Sequence, residues 1–564
     1  MTKRLILALL LSCSPLWATT YYVDNCVVTG NDSNRGTSTS TPWLTIAKVN
    51  ASTFAAGDSI LFQSTCTWRE QLTIASSGTS GNSITFGAYG TGALPIISGA
   101  TLLTSWVPEA QAGGATFYYA SDSVAPASGQ VFRDKARLLL AGTKNTLEIG
   151  GYWWDSVNSR VYVYDNPTGH MIEASYRNYA VYSTGKSYIT VQGIEADMAQ
   201  LNGLYFSNSP GGNILVQGVT VQYSAEDGAH YDSCPSSVFS SVTADYNGAD
   251  GIGAYNSAGL VIELSTAHHN AQLGTVNYTA GIKLAPSTMA NVTIQYNVSY
   301  SNGLASSGAT RGAGIWADTI AGGGLVTRYN LSYSNYWTGI HHECDANSVI
   351  AYNVSWNNGQ DGLNFSCNRT PGVTGNQMYN NTSYGNLVGI AVLGPSAAGM
   401  ITNNLIENNI SVNNRTANLK ATGGGENDGT NGSENVYRYN GFGPQATNFI
   451  EWGTGVYEST YTTWETATGN CGRAGCSNSV QSAPAFANAS AGQFWLTSGS
   501  PGIDAGLNLG SPYNIGLMPG STWPNSVVTG DQNAYGSGWE MGAFVYVPPV
   551  ALHPPSNLLV LSVH

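Results

Sequence analysis

The chain has 564 residues, of which 42% are hydrophobic and 11% aromatic. That excludes a disordered polymer and leaves material for a large core. Only 9% of residues are charged and the formal net charge is −13, which excludes a nucleic-acid binder, since that needs a basic face, and counts against a strongly polyanionic substrate unless cations gather locally.

The first element is an export signal. Lys3 and Arg4 precede the apolar run 5–11, and a polar-to-small stretch follows to Ala18, so residues 1–18 are expected to be a signal peptide cleaved after Ala18. The run is too short to span a membrane. A second reading takes Leu10-Leu11-Ser12-Cys13 as a lipobox with Cys13 lipidated. Both readings place the mature protein outside the cytoplasm, secreted, extracellular or periplasmic.

Residues 19–100 read as an N-terminal cap running into the first coils of a larger structure. Tyr21-Tyr22-Val23-Asp24 is a strand and Gly30 to Thr37 a turn cluster. From Pro42-Trp43 a short helix is expected to plug an open end. Strands follow at 59–62, 71–74 and 84–88. Residues 101–180 carry Trp106, Phe117-Tyr118-Tyr119, Trp153-Trp154 and Arg160-Val161-Tyr162-Val163-Tyr164 between Gly, Asn and Asp turns. Alternation of that kind predicts antiparallel hairpins inserted into the main fold.

From 181 to 415 the chain repeats. Gly followed by strand residues recurs at Gly203, Gly228, Gly251, Gly281, Gly314, Gly339, Gly362 and Gly389. Asn-rich phrases begin at Asn297, Asn330, Asn353, Asn381 and Asn409, in steps of 33, 23, 28 and 28 residues. Such a period of short strands and turns predicts a β-solenoid, in which one coil is too small to bury its own core. Outside one face discussed below, the Asn, Ser and Thr residues are read as solvated turns and faces. Residues 416–547 are expected to be C-terminal coils and long loops, with 416–445 a loop, and 548–564 a Pro-rich flexible tail.

The chain has eight Cys. Cys471 and Cys476 flank a Gly-containing loop and are expected to pair. Cys344 and Cys367 both lie five residues after a repeat Gly, so they stack on neighbouring coils as a disulfide or a thiol ladder. Cys26 and Cys66 form a third candidate pair, which leaves Cys234 over. The spacings do not suggest zinc.

The opening Tyr-Val-Asp, the Gly-Asn-Asp-Ser-Asn-Arg-Gly-Thr turn, Pro-Trp-Leu-Thr-Ile, the Asn-rich coils and the closing Ser500-Pro501-Gly502-Ile503-Asp504-Ala505-Gly506 with Gly542-Ala543-Phe544 resemble exported proteins of the pectin-lyase-like superfamily. The resemblance implies an all-β, right-handed parallel β-helix over most of the mature chain. It is specific for fold and weak for reaction, because members include polysaccharide lyases, glycoside hydrolases, uronan epimerases, esterases and phage-type adhesins.

The repeat turns sequence into a map. Counting from each repeat Gly, offsets +1 and +3 are mostly apolar and point inward. Offsets +2 and +4 then face outward: Tyr205/Ser207, His230/Asp232, Gly253/Tyr255, Lys283/Ala285, Trp316/Asp318, His341/Glu343, Asn364/Ser366 and Ala391/Leu393. In so uncharged a chain this face is the candidate site. Asp318 and Glu343 share an offset on adjacent coils, so their carboxyls are expected roughly 5–6 Å apart. Carboxyls that close separate into one acid and one anion, the pair that glycosidic hydrolysis needs. Asp232 joins them as a third candidate catalytic carboxylate, though it lies three coils away, roughly 14 Å along the axis, which suits a subsite better. Tyr205, Tyr255 and Trp316 are candidates to stack on sugar rings. His230, Lys283, Arg311, His341 and Asn364 are candidates to bind hydroxyls or a carboxylate. Lys283 also reads as a salt-bridge partner of Asp318, and His341 as a cap for Glu343. His342 points inward. Asp227, Asp250 and Asp361 precede repeat Gly residues and read as turn caps. His268-His269-Asn270 falls in the Asn column and reads as structural.

The expected function is therefore a glycoside hydrolase acting on a polysaccharide or oligosaccharide. A polysaccharide lyase or uronan epimerase, with Lys283 as base and Arg311 near the carboxylate, is the second reading. A non-catalytic carbohydrate-binding solenoid is the third. No organic cofactor is implied, calcium remains open, and a capped solenoid is expected to be a monomer.

Overall fold

A computed structural model describes residues 18–548 except 27, 113, 122–129, 274–277, 287–288, 305–311, 321, 370–371, 395–400, 424–434 and 467–477. The expected pair Cys471/Cys476, Cys13 with most of the expected signal, and nearly all of the Pro-rich tail lie outside the described residues.

The chain winds into a parallel β-helix with three long sheets of 13, 13 and 11 strands. Between the two ends each coil contributes one strand to each sheet. Leu204–Ser207, Ile214–Gln217 and Thr220–Gln222 make one coil, and Ala229–Asp232 starts the next directly above Leu204–Ser207. The sheet containing Leu204–Ser207 is called the site sheet below. Its offsets +1 and +3 point into the core, where Leu204, Phe206, Ile252, Ile282, Ile315, Leu363 and Ile390 are at most 1% exposed. One apolar core runs through the coils from Val23 to Trp464. The helix Ile46–Asn50 closes the N-terminal end and inserts Ile46 and Val49 into that core.

The Asn-rich phrases are not solvated turns, which corrects the sequence reading. Each follows N-x-S-x-x-N, and all three polar positions are buried except Asn414, which is partly buried. Asn353 is 0% exposed. Its Oδ1 accepts from the backbone N–H and Nδ2 of Asn330 on the previous coil, at 2.9 and 3.0 Å. Its own Nδ2 donates to Thr327 O and to Asn381 Oδ1 on the next coil. A second ladder runs through Asn302, Asn335, Asn358 and Asn386. Between the two, Ser355 Oγ donates to Gly362 O at 2.7 Å. The ladders satisfy backbone groups at the corners, where the chain leaves one sheet for the next. They also explain the repeat Gly. A Cβ at Gly362 would lie 2.2 Å from Ser383 Oγ and 2.5 Å from Asn386 Nδ2, so the next coil's corner fits only against a residue with no side chain.

The solenoid is longer than 181–415. Ser59–Gln63 and Ile84–Tyr89 already belong to one of its sheets. At the other end Ala417–Thr422 and Ile450–Trp452 continue the site sheet, so part of the expected 416–445 loop is strand. The segment near 100–180 leaves the helix and forms two small sheets, almost wholly antiparallel, with a separate core around Tyr152, Val161 and Ile172. The chain after about 480 folds back along the solenoid. It lays Phe494, Leu517 and Phe544 on the outward tyrosines Tyr329, Tyr352 and Tyr379. Disulfides join Cys26 to Cys66 and Cys344 to Cys367, and Cys234 is a buried free thiol.

Candidate active site

Parallel register builds the site. Asp318 and Glu343 are direct partners on adjacent strands of the site sheet, as are Trp316 and His341. Lys283 pairs with Trp316 one strand earlier. Alternation directs all five outward, away from the core occupied by Ile315, Ala317, Ile340 and His342.

The two carboxyls have different surroundings. Asp318 lies 3.2 Å from Lys283 Nζ and 3.6 Å from Arg369 Nη2, and it accepts from Thr319 Oγ1 at 3.0 Å. The carboxyl of Glu343 is pushed above the usual range, first by burial and then by the charge of Asp318, against the opposing pull of Lys283 and Arg369. Two carboxylates on adjacent strands, ~4.8 Å apart along the axis, do not ionise independently. Burial also lowers the Lys283 ammonium, although Asp250 and Asp318 pull the other way.

Several expected contacts differ in the structure. Trp316 is 1% exposed, so it is no open platform. Lys283 Nζ covers one face of its ring, 3.1 Å from the centroid, and His341 stacks on it at 5.3 Å. Trp337 meets it edge-on. Tyr205 is stacked with Tyr179 at 5.1 Å and with His230 at 5.6 Å, which leaves no free ring face. Tyr255, at 38% exposure, has no ring packed on it among the described residues. His341 does not cap Glu343; its Nε2 meets Ser366 Oγ at 2.7 Å. Asn364 is buried and donates to Asp361, whose carboxyl burial pushes up to about 6. Arg311 lies outside the described residues.

Asp232 is not brought to the pair. Three strand steps separate it from Asp318, and it meets Tyr205 Oη at 3.4 Å and Ser233 Oγ at 2.9 Å. It belongs with a second polar group. His230 Nδ1 lies 2.6 Å from Asp227 Oδ2, and Asp227 Oδ1 accepts from the Asp250 N–H at 3.0 Å. Asp250 accepts from Ala280 N at 2.6 Å, and its carboxyl is pushed up to about 8 by burial and by Asp227. Asp227 and Asp250 thus accept from backbone N–H groups one coil on instead of capping their own turns, which corrects the sequence reading, and Asp227 also orients His230. Gly253, between His230 and Lys283 in the column, makes room for them: a Cβ there would lie 2.5 Å from Asp227 Oδ2 and 2.7 Å from His230 Nδ1.

Sequence reasoning missed Arg369 and Trp337. Both lie between strands of the site sheet, where the offset count assigns no direction. The only available signal was composition, since Arg369 is one of 20 Lys and Arg residues in the chain. A cavity of about 770 Å³ lies away from the pair, against Arg415, Asn418, Phe442, Phe449 and Pro484. Among the described residues no Asp or Glu lines it.

A family model described as "Right handed beta helix region" matches residues 159–323. Among solved structures, the chain is similar to XylC in a complex with xylose, at 15% identity over 70% of this chain and 75% of that one, with a TM-score of 0.54. It is also similar to a glycoside hydrolase, at 10% identity over 67% and 95% of the two chains with a TM-score of 0.48, and to pectate lyase Pel9A, at 17% over 93% and 96% with a TM-score of 0.43. A search of curated protein sequences finds no match. At these identities the likeness is one of fold. The chain is a right-handed parallel β-helix protein, as the resemblance of its opening, coil and closing motifs implied.

Proposed function

We infer that this protein is an exported carbohydrate-active enzyme that hydrolyses glycosidic bonds with Asp318 and Glu343. The observation that carries this reading is the in-register pair with unequal surroundings: Asp318 beside two cations, Glu343 partly desolvated and raised. Glu343 holds the proton and delivers it to the glycosidic oxygen as the bond to the anomeric carbon breaks. Asp318, paired with Lys283 and Arg369, either attacks the anomeric carbon or takes a proton from the attacking water. The carboxyl separation in the substrate complex decides between retention and inversion. Tyr255, with its open ring, and Asp232 with His230, a few coils away, suit subsites for a longer glycan. The two disulfides fit an oxidising compartment, and no helix among the described residues is long and apolar enough to cross a membrane.

Elimination from a uronic acid by Lys283 is the second reading, favoured by the lowered Lys283 ammonium. Against it, Nζ is held between Asp318 and the Trp316 ring, which leaves it covered and already engaged.

The test is product mass after incubation with neutral and acidic glycans, xylo-oligosaccharides included. Products that carry one added water, lost in Glu343→Gln and Asp318→Asn, are expected, with kcat/KM reduced by roughly 10²–10⁴-fold. Unsaturated products that survive in Glu343→Gln would transfer the chemistry to Lys283. Glycan retention without products would make the chain a binding module.

A further inference from the structure

His268 and His269 lie on a different sheet from the carboxylate pair, and they are more than part of the Asn column. Asn270 does enter the buried ladder, donating to Asn302 Oδ1, but the two histidines turn outward together. His268 ends the strand Thr266–His268 and pairs in register with Asp245 on the coil before. His269 has a φ of 51°. Consecutive side chains on an extended strand point to opposite faces, and the left-handed conformation at His269 cancels that alternation. Both rings therefore reach the same side, 5.1 Å apart and nearly perpendicular.

Three ligand atoms converge there. His268 Nδ1 lies 2.8 Å from Asp245 Oδ1 and 2.8 Å from His269 Nδ1, and His269 Nδ1 lies 3.8 Å from Asp245 Oδ1. A tetrahedral ion bound at ~2.0–2.1 Å needs ligand atoms about 3.3 Å apart, which is within the range of these three edges. Hydrogen bonding alone satisfies the group poorly. One proton on His268 Nδ1 cannot serve both neighbours, and Asp245 Oδ1 is buried without a well-formed hydrogen bond. Neighbouring rings fix the ligands: Tyr246 stacks on His269 at 4.9 Å and Tyr300 on His268 at 4.8 Å. The side chains keep 17%, 38% and 19% exposure for His268, His269 and Asp245, so a fourth position opens to solvent.

We propose that Asp245, His268 and His269 form a binding site for a divalent transition metal of the zinc type, with water as fourth ligand. Two imidazoles and one carboxylate suit such an ion better than calcium or magnesium, which prefer all-oxygen ligands. The ion would tie two adjacent coils together beside Tyr246, whose carbonyl already receives Arg137 from the inserted sheets at 3.0 Å.

The mature protein, stripped with a chelator, is titrated with Zn²⁺ and with Co²⁺. One equivalent is expected, with the visible absorption of four-coordinate Co²⁺ and a higher Tm with Zn²⁺. His268→Asn and His269→Asn are expected to abolish all three while keeping the metal-free Tm. Should either variant fold poorly, the wild type suffices: Zn²⁺ should protect both histidines from diethyl pyrocarbonate, read by peptide mass. No Co²⁺ absorption, equal modification with and without Zn²⁺, or an unchanged equivalent in the His268→Asn/His269→Asn double variant would overturn the proposal and leave an ordinary ion pair.

Discussion

Asp318 and Glu343 occupy the same offset on adjacent coils, yet their neighbours differ. Lys283 and Arg369 both approach Asp318, while burial dominates at Glu343. If Glu343 is the acid, activity falls as pH rises through its raised pKa. Lys283 pulls that pKa down, so Lys283→Met should let it rise further and move the alkaline limb of kcat/KM to higher pH, with lower activity throughout. A limb that stays in place or moves down would show that another group gives the proton. Trp316 carries a related lesson. Its offset correctly turned it outward, but Lys283, His341 and Trp337 enclose it. Its ring is enclosed and offers no open face for a sugar.

Within a coil, the corner is as specific as the strand. Asn353 accepts from the backbone of Asn330 and donates to Thr327 O on one side, and donates to Asn381 Oδ1 on the other. Replacing it by Ala leaves the buried N–H of Asn330 without its acceptor and removes a donor from Thr327 O, and a buried group left unpaired costs about 1–3 kcal/mol. Asn353→Ala should therefore lower stability by at least that amount, measured by chemical denaturation. A loss below ~0.5 kcal/mol would mean that water replaces the amide at the corner. The same ladder bears on the N-x-S/T triplets. Asn297, Asn330, Asn353, Asn381 and Asn409 are all 0% exposed, so the repeat, not glycosylation, accounts for these five.

Across the molecule, acid groups are buried at distant points. Burial pushes Asp197 up to about 7, Asp250 and Glu540 up to about 8, and Asp361 up to about 6. Their folded-state pKa values exceed the unfolded ~4. The native state therefore binds more protons than the unfolded chain, and their contribution is complete below about pH 4 and lost as pH rises through 6 to 8. The melting temperature should fall between pH 5 and pH 9. Glu540 sits in the returning C-terminal segment, 0% exposed, with neither carboxyl oxygen hydrogen-bonded among the described residues. Glu540→Gln should flatten the upper part of that decline in a calorimetric series. A Tm that rises with pH, or a variant with an unaltered slope, would contradict this account.

The sequence by itself determined the β-helix, the direction of the site-sheet residues at offsets +1 to +4 and the pairing of Asp318 with Glu343. A repeat whose strands stack in register fixes all three from spacing alone. The Cys344–Cys367 bridge was legible for the same reason, as one of two arrangements that the shared offset allowed. Tertiary structure alone decided what happens off the repeat. Arg369 reaches Asp318 from a connecting stretch, Trp337 covers Trp316, and the chain after about 480 returns to cover Tyr329, Tyr352 and Tyr379. None of these has a period to read. The Asn-rich phrases lie between the two cases. Their recurrence was plain, but their burial was not, because an amide looks polar in sequence and becomes a core residue only when an identical amide one coil away completes its hydrogen bonds.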